Sequence, residues 1–259
     1  MRNIYVKEII DVQQGCIFDG AVADGFEGCP TFGLIITPRC DIAQHKVPTV
    51  HYLPIVRFDD WKRVVLVPMS QSERIRKSYN ELIPLLKKSH VPVHLAEKQY
   101  KLSDEDLSKS MPYGEVGNCL KTKLKKHWKL QDVDHCYSTI AEWKQYSSKI
   151  AELVDGKMER YLLLEDWEHG VRHYVICLTE IYHLVLNDAL KLKDGLKVRD
   201  INFSSNDLFQ SHDSLTTYSI KAQLSSPYIE YVIQKMSNAF FRIGIEDWED
   251  RKAIIEDLK

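Results

Sequence analysis

The chain lacks the signatures of the common catalytic families. Across its 259 residues there is no glycine-rich phosphate loop, no nucleophile elbow, no paired glycosidase-type motif and no HExxH. These absences argue against the usual nucleotide-dependent enzymes and hydrolases. No apolar run approaches the roughly 18 residues needed to cross a bilayer. The opening MRNIYVKEIIDVQQG has neither the apolar core nor the small-residue cleavage site of a signal peptide. The expectation is a cytoplasmic protein with no membrane association. No CxxC pair occurs, so a zinc ribbon is not expected. The six cysteines, at 16, 29, 40, 119, 136 and 177, are scattered, and in a cytosolic chain they read as reduced thiols. A formal net charge of −2 removes any global field toward nucleic acid or anionic lipid, so a nucleic-acid site has to be a local patch. Internal repeats, low-complexity tracts and evident linkers are also missing.

What is present is ordinary globular material: 44% apolar and 28% charged residues, enough for a sizeable core. Residues 1–70 read as short strands (IYVKEII, CIF, FGLIIT, TVHYLPIV, RVVLV) punctuated by Gly, Pro, Asp and Asn, a pattern that predicts a small β-barrel. Pro54 removes a ladder donor and places its strand at an edge or a bulge. Residues 71–158 read as mainly helical. Ser70 and Glu73 form a capping-box pattern, Pro84 is expected to kink or end that helix near Ile83, CLKTKLKKHWKL is a basic helix, and Thr139 with Glu142 opens another. Residues 159–259 bring back a hairpin, RYLLLE and VRHYVICL around DWEHG, and a closing helix. That helix is capped at Ser226–Pro227, stopped at Gly244, and striped with Ile229, Val232, Ile233, Met236, Ala239, Phe240 and Ile243. The expected fold class is α+β: a small barrel with inserted and C-terminal helices packed as one compact unit.

Three groups of residues carry candidate chemistry. In GLIITPRCDIAQHK an apolar strand runs into Cys40 and Asp41. Arg39, His45 and Lys46 stand near enough in sequence to supply charge to a thiol or a proton acceptor. The bland alternative makes Cys40 a small buried apolar residue and Asp41 a turn cap. Cys16, Cys29, Cys40 and His45 cluster in the first part of the chain, but at spacings that match no standard zinc module, so no metal and no cofactor is expected. Lys123, Lys125 and Lys126, with Trp128 as a stacking platform, form a candidate nucleic-acid strip; the alternative is a solvated helix face with the tryptophan in the core. His169, His173 and His183 fall on or near the hairpin, where a packed histidine is the default.

Two resemblances follow from these motifs. QQGCIFDG…FGLIIT…VHYLPIV is similar to the opening of the MazF/PemK/Kid group of SH3-like barrels. That likeness implies a ligand groove at the end of the GLIIT strand, where Thr37, Arg39, Cys40 and Asp41 sit. Those toxins are ribonucleases that commonly carry an arginine before the apolar strand; here that stretch reads GCPTFG. Over nearly the whole chain, the segments QQGCIFDG, TPRCDIAQHK, RYLLLEDW…VRHYVICL and LSSPYIEYVIQKMSNAFFRIGI resemble a little-characterised bacterial group. Gln14, Gly15, Cys40, Asp41, Lys46, Pro227, Arg242 and Gly244 match its pattern, and Cys16 replaces its usual acidic residue. The likeness implies a setting in bacterial signalling or antiviral defence loci, among them toxin–antitoxin systems.

The leading expectation is a non-catalytic regulatory or adaptor protein. It would bind a protein partner from its own locus, or nucleic acid, through a groove formed by Gln14, Thr37, Cys40, Asp41 and Lys46. The alternatives are a nuclease using Arg39, Cys40, Asp41 and His45, with Arg39 on phosphate and Asp41 or His45 as base, and a thiol or metal sensor centred on Cys40.

Overall fold

The computed structural model describes residues 5–6, 9, 11–112, 114–132, 143–165, 167, 173–201 and 215–241. It is a mixed α+β structure with a curled eight-stranded antiparallel sheet, a separate two-stranded ladder of residues 196–197 with 217–218, and several helices. The strands are β1 (Tyr5–Val6), β2 (Cys16–Asp19), β3 (Thr31–Ile35), β4 (Thr49–Arg57), β5 (Tyr161–Leu164), β6 (Tyr174–Cys177), β7 (Tyr182–Val185), β8 (Leu196–Lys197), β9 (Thr217–Tyr218) and β10 (Ile220–Leu224). The helices are α1 (Arg39–Ala43), α2 (Phe58–Trp61), α3 (Val67–Lys88), α4 (Asp104–Lys109), α5 (Glu115–Asp132), α6 (Trp143–Val154), α7 (Leu186–Lys191) and α8 (Tyr228–Phe241). Contacts divide the chain into a sheet unit, residues 1–60 with 150–259, and a helical unit, residues 61–149.

In the sheet unit the order is β1-β10-β2-β3-β4-β6-β5, with β7 also on β4. The N-terminal strands therefore do not close a barrel among themselves. β10, from the far end of the chain, inserts between β1 and β2, and the expected RYLLLE/VRHYVICL pairing forms the opposite edge. Among the described residues the edges meet through side chains and not through a ladder. The Tyr5 hydroxyl donates to the Glu165 carbonyl at 2.5 Å, and its ring stands edge-on to Trp167 at 6.0 Å.

Both faces of the sheet are buried, which is why β3 has no exposed position. Ile17, Leu34, Leu53, Ile55 and Ile176 pack with Ile229 and Val232 of α8. Phe18, Ile35, Val50, Tyr52 and Leu184 pack on the other face, with Ile42 of α1 and Ala189 of α7. Each such large side chain contributes about 1.5–3 kcal/mol by leaving water. Gly33 is required where Phe18 and Tyr52 meet edge-to-face at 5.1 Å, because a Cβ there would lie 2.3 Å from the Phe18 ring. Pro54 is central and not at an edge. β7 pairs with residues 49–52 of β4 and β6 with residues 55–57, so the missing amide hydrogen falls where the ladder on that side is already interrupted.

The helical unit departs from the sequence reading at its start. RVVLV is helical: Lys62–Leu66 form a π turn that runs directly into α3. The wider turn makes room for Pro68, which has no amide to donate. Tertiary burial of Trp61 and Leu66 overrides the β propensity of the valines. Ser70 does not cap; it lies inside α3, buried, with its hydroxyl lacking a partner. Pro84 does not end the helix either, since Pro84 and Asn80, whose carbonyl it leaves free, are both exposed to water. In α5 the apolar residues Leu120, Leu124 and Trp128 recur every fourth position and pack on Leu82 and Leu86 of α3. The polar stretch LSDEDLSKSM holds α4, whose N-cap Ser103 accepts from the Asp106 amide at 3.2 Å. The helix opening expected at Thr139 and Glu142, the hairpin turn with His169 and Gly170, and the stop at Gly244 lie outside the described residues.

Candidate functional site

The GLIITPRCDIAQHK segment leaves β3 and forms α1, a helix of five residues. The Pro38 carbonyl accepts from the amides of Asp41 and Ile42, and buried Ile42 anchors the turn in the core. The helix then stops on His45, which takes a left-handed φ of 52°. The His45 amide donates to the Ile42 carbonyl, and the Lys46 amide donates to the Asp41 carbonyl at 2.9 Å. This is the paired return of a Schellman ending, usually built on glycine. It fixes the spacing of Asp41 and Lys46 by backbone geometry.

Cys40 is exposed and not packed as an apolar residue. Its sulfur donates to Asp41 Oδ1 at 3.5 Å, a contact that requires the neutral thiol. Thr37 is buried, and its hydroxyl accepts from the His51 amide at 2.7 Å, so it serves the turn and does not face solvent. His45 and Lys46 are both exposed. Among the described residues the His45 side chain makes no hydrogen bond to Cys40 or Asp41. The set Arg39, Cys40, Asp41 and His45 is therefore adjacent in chain but not assembled into a contacting group.

One step from this turn is a cleft of about 480 Å³, lined by Arg39 and Gln14 together with Gln13, Ser225, Ile229 and Glu230, among others. Gln14 Nε2 donates to the Ile36 carbonyl at 3.0 Å, which holds its side chain across the start of the cleft wall. Asp11, also on the wall, is held by Lys193 at 3.2 Å. Among the described residues Arg39 and Glu230 are then the charges of the cleft wall without an ion-pair partner, one of each sign, among amides, hydroxyls and two aliphatic side chains. Of the residues picked from sequence, Gln14 and Arg39 line the cleft; Thr37, Cys40, Asp41 and Lys46 do not. Ser225, Ser226 and Glu230 were missed. They come from the β10–α8 corner, nearly two hundred positions away, and only the insertion of β10 beside β2 brings them in.

The cysteines do not gather. Cys16 and Cys29 are buried, apart from exposed Cys40 and His45. Burial pushes the Cys16 thiol up to about 11, against a smaller opposing contribution from the Gln13 amide. Burial likewise raises Cys177. Among the described residues no group of three or more His, Cys, Asp or Glu side chains is placed to hold a metal ion. No described helix is long and apolar enough to cross a membrane.

The basic strip of α5 divides. Lys121 and Lys125 face α4, where Lys121 donates to the Ser108 hydroxyl at 2.5 Å and Lys125 pairs with Asp104 at 2.5 Å. The hydrogen bond and charge of Lys125 hold the Asp104 carboxyl below its ordinary value. Trp128 is 2% exposed and its indole donates to the Leu95 carbonyl at 2.8 Å, so it offers no face to a stacked base. Lys123 and Lys126 turn the other way, into a groove shared with α3.

Comparison with known proteins adds no identity: no family model, curated protein or solved structure matches this chain.

Proposed function

We propose that the protein is a non-catalytic regulatory or adaptor protein that holds a segment of a partner protein in the cleft beside α1. The observation that carries this reading is the lining of the cleft. One arginine and two carboxylates, Glu230 and the Lys193-paired Asp11, stand among glutamines, serines, Leu224 and Ile229, a mixture suited to a peptide and not to a polyanion. Arg39 is the anchor for a carboxylate, in the charge-assisted and bidentate manner guanidinium groups allow. Cys40 and Lys46, exposed on α1 and its closing turn, sit close in sequence to that anchor. The curled sheet is read as an SH3-like barrel of the MazF/PemK kind whose groove has been kept for binding. Its setting is a cytoplasmic signalling or defence complex. The nuclease alternative has less support, because Arg39, Asp41 and His45 do not converge.

Selection of a random peptide library on the purified protein tests the reading. Enriched peptides should carry a carboxylate, bind the native chain, and lose at least about tenfold in affinity to Arg39→Ala, as removal of a hydrogen-bonded charge partner does. Failure to enrich any sequence, or peptides bound equally by Arg39→Ala, would overturn it. Total RNA or DNA cut by the protein would revive the nuclease.

A further inference from the structure

Another concavity belongs wholly to the helical unit. It is a groove of about 270 Å³ between α3 and α5, lined by Arg74, Lys77, Ser78, Glu81, Lys123, Lys126 and Leu130. Four of these seven side chains are cations, and among the described residues none of the four has an ion-pair partner. The neighbouring cations behave differently: Lys125 pairs with Asp104 at 2.5 Å, and Lys149 with Glu73 at 3.4 Å. Four like charges around one groove, with Glu81 the single carboxylate among its lining residues, repel one another and favour an anion between them.

A hydrogen-bonded network reaches Ser78, which lines the groove. Gln131 Nε2 donates to the Ala96 carbonyl at 3.3 Å, which fixes the orientation of the amide, and lies 3.0 Å from His127 Nε2. With that amide donating, His127 Nε2 accepts, and the ring proton sits on Nδ1. Nδ1 lies 3.0 Å from the Ser78 hydroxyl oxygen, so Ser78 accepts from it. The Ser78 hydroxyl proton is thereby left to donate into the groove. His127 is fully buried, and burial lowers its tendency to protonate, which keeps this direction of donation.

We propose that this groove binds the sugar–phosphate backbone of a single nucleic-acid strand. The spacing favours a chain of phosphates over one isolated anion. Arg74 and Lys77 on one wall, and Lys123 and Lys126 on the other, are each three residues apart, about 4.5 Å along the helix axis, so each wall presents two charges in succession. A lipid surface would be met by a convex patch, whereas these cations line a groove. Among the described residues no aromatic side chain lines it, and Trp128 is buried, so the groove offers no stacking platform and the backbone is the part of the strand it engages. Glu81 stands on the wall as the single carboxylate.

Fluorescence anisotropy with labelled homopolymeric DNA and RNA strands tests the proposal on the full chain. Binding should fall with salt at a slope of about −0.7 per phosphate engaged, approaching about −3 if all four cations take part. Poly-dT and poly-dA should bind alike. Lys123→Glu with Lys126→Glu should lose at least about tenfold and flatten the slope by about 1.4. Ser78→Ala should weaken binding a few-fold with the slope unchanged, since a neutral donor releases no counterion. Lys87→Glu with Lys88→Glu, the same charge change on exposed positions at the end of α3, should keep most of the affinity. Circular dichroism confirms that each variant is folded. The proposal is overturned if no strand binds at low salt, if the Lys123/Lys126 variant binds like the native chain, or if a duplex, free nucleotides or phosphatidylserine vesicles displace the strand at equal phosphate.

Discussion

α1 and α3 end on the same backbone device with opposite side chains. His45 after α1 and His90 after α3 both take the left-handed region, with φ of 52° and 55°. In each case the amides of this histidine and of the next residue turn back to the last turn: His45 and Lys46 to Ile42 and Asp41, His90 and Val91 to Lys87 and Leu86. The motif brings its outer pair together, usually as an apolar contact. In α3 that pair is Leu86 and Val91, both buried in the helical core. In α1 it is Asp41 and the exposed Lys46. The helix ending sets the spacing of Asp41 and Lys46 in CDIAQHK. The comparison shows that nothing apolar closes the α1 end, which leaves a charged corner beside Arg39 and the cleft.

Breaking the apolar version has the largest expected effect. Leu86→Ala should cost about 2–5 kcal/mol, as buried leucine truncations do, read as a lower urea midpoint with an unchanged slope. Relieving the left-handed histidines comes next. His45→Gly and His90→Gly should each raise stability by about 1 kcal/mol, because glycine adopts this φ without the Cβ penalty. A loss for either would show that its imidazole does more than end a helix.

Acid should separate the two regions more gently. His127 stays neutral in the folded helical unit because burial lowers its pKa, while the unfolded chain protonates near 6.5. Below that value the unfolded state binds more protons, so stability is complete above about pH 6.5 and declines as pH falls further. A His127→Gln variant should show a shallower decline in thermal melts between neutral and mildly acid pH. The smallest effect is expected at the charged corner, where Lys46→Ala should change stability by less than about 0.5 kcal/mol. A larger loss there would mean that the α1 ending is held by an Asp41–Lys46 contact after all.

Elements with strong local periodicity were legible in the sequence. The β5–β6 hairpin followed from two apolar segments around DWEHG, α5 from its basic run, and α8 from apolar residues at helical spacing. Gln14 and Arg39 were reachable because both flank recognisable strand ends. The failures share one physical cause, which is that tertiary context outweighed local pattern. RVVLV is helical because Trp61 and Leu66 are buried along it, and Ser70 lies inside a helix that had already begun. Pro54 sits mid-sheet because two different strands share one side of β4. The cleft wall at Ser225–Glu230 depends on β10 inserting beside β2, and no local signal announces a pairing across so much chain. The KTKLKKHWK run looked like one basic strip, yet helix geometry turns Lys121 and Lys125 to one side and Lys123 and Lys126 to the other.

The proposed account gives the chain two recognition surfaces of different chemistry: a mixed cleft at Arg39 for a protein segment and a cation-rich groove at Lys123 and Lys126 for a nucleic-acid strand. Parallel titration of one selected peptide and one labelled strand against two variants, Arg39→Glu and Lys123→Glu with Lys126→Glu, tests it most directly. The account predicts a crossed result, in which Arg39→Glu loses the peptide and keeps the strand while the lysine variant loses the strand and keeps the peptide. Variants that lose both ligands together, or neither, would contradict it.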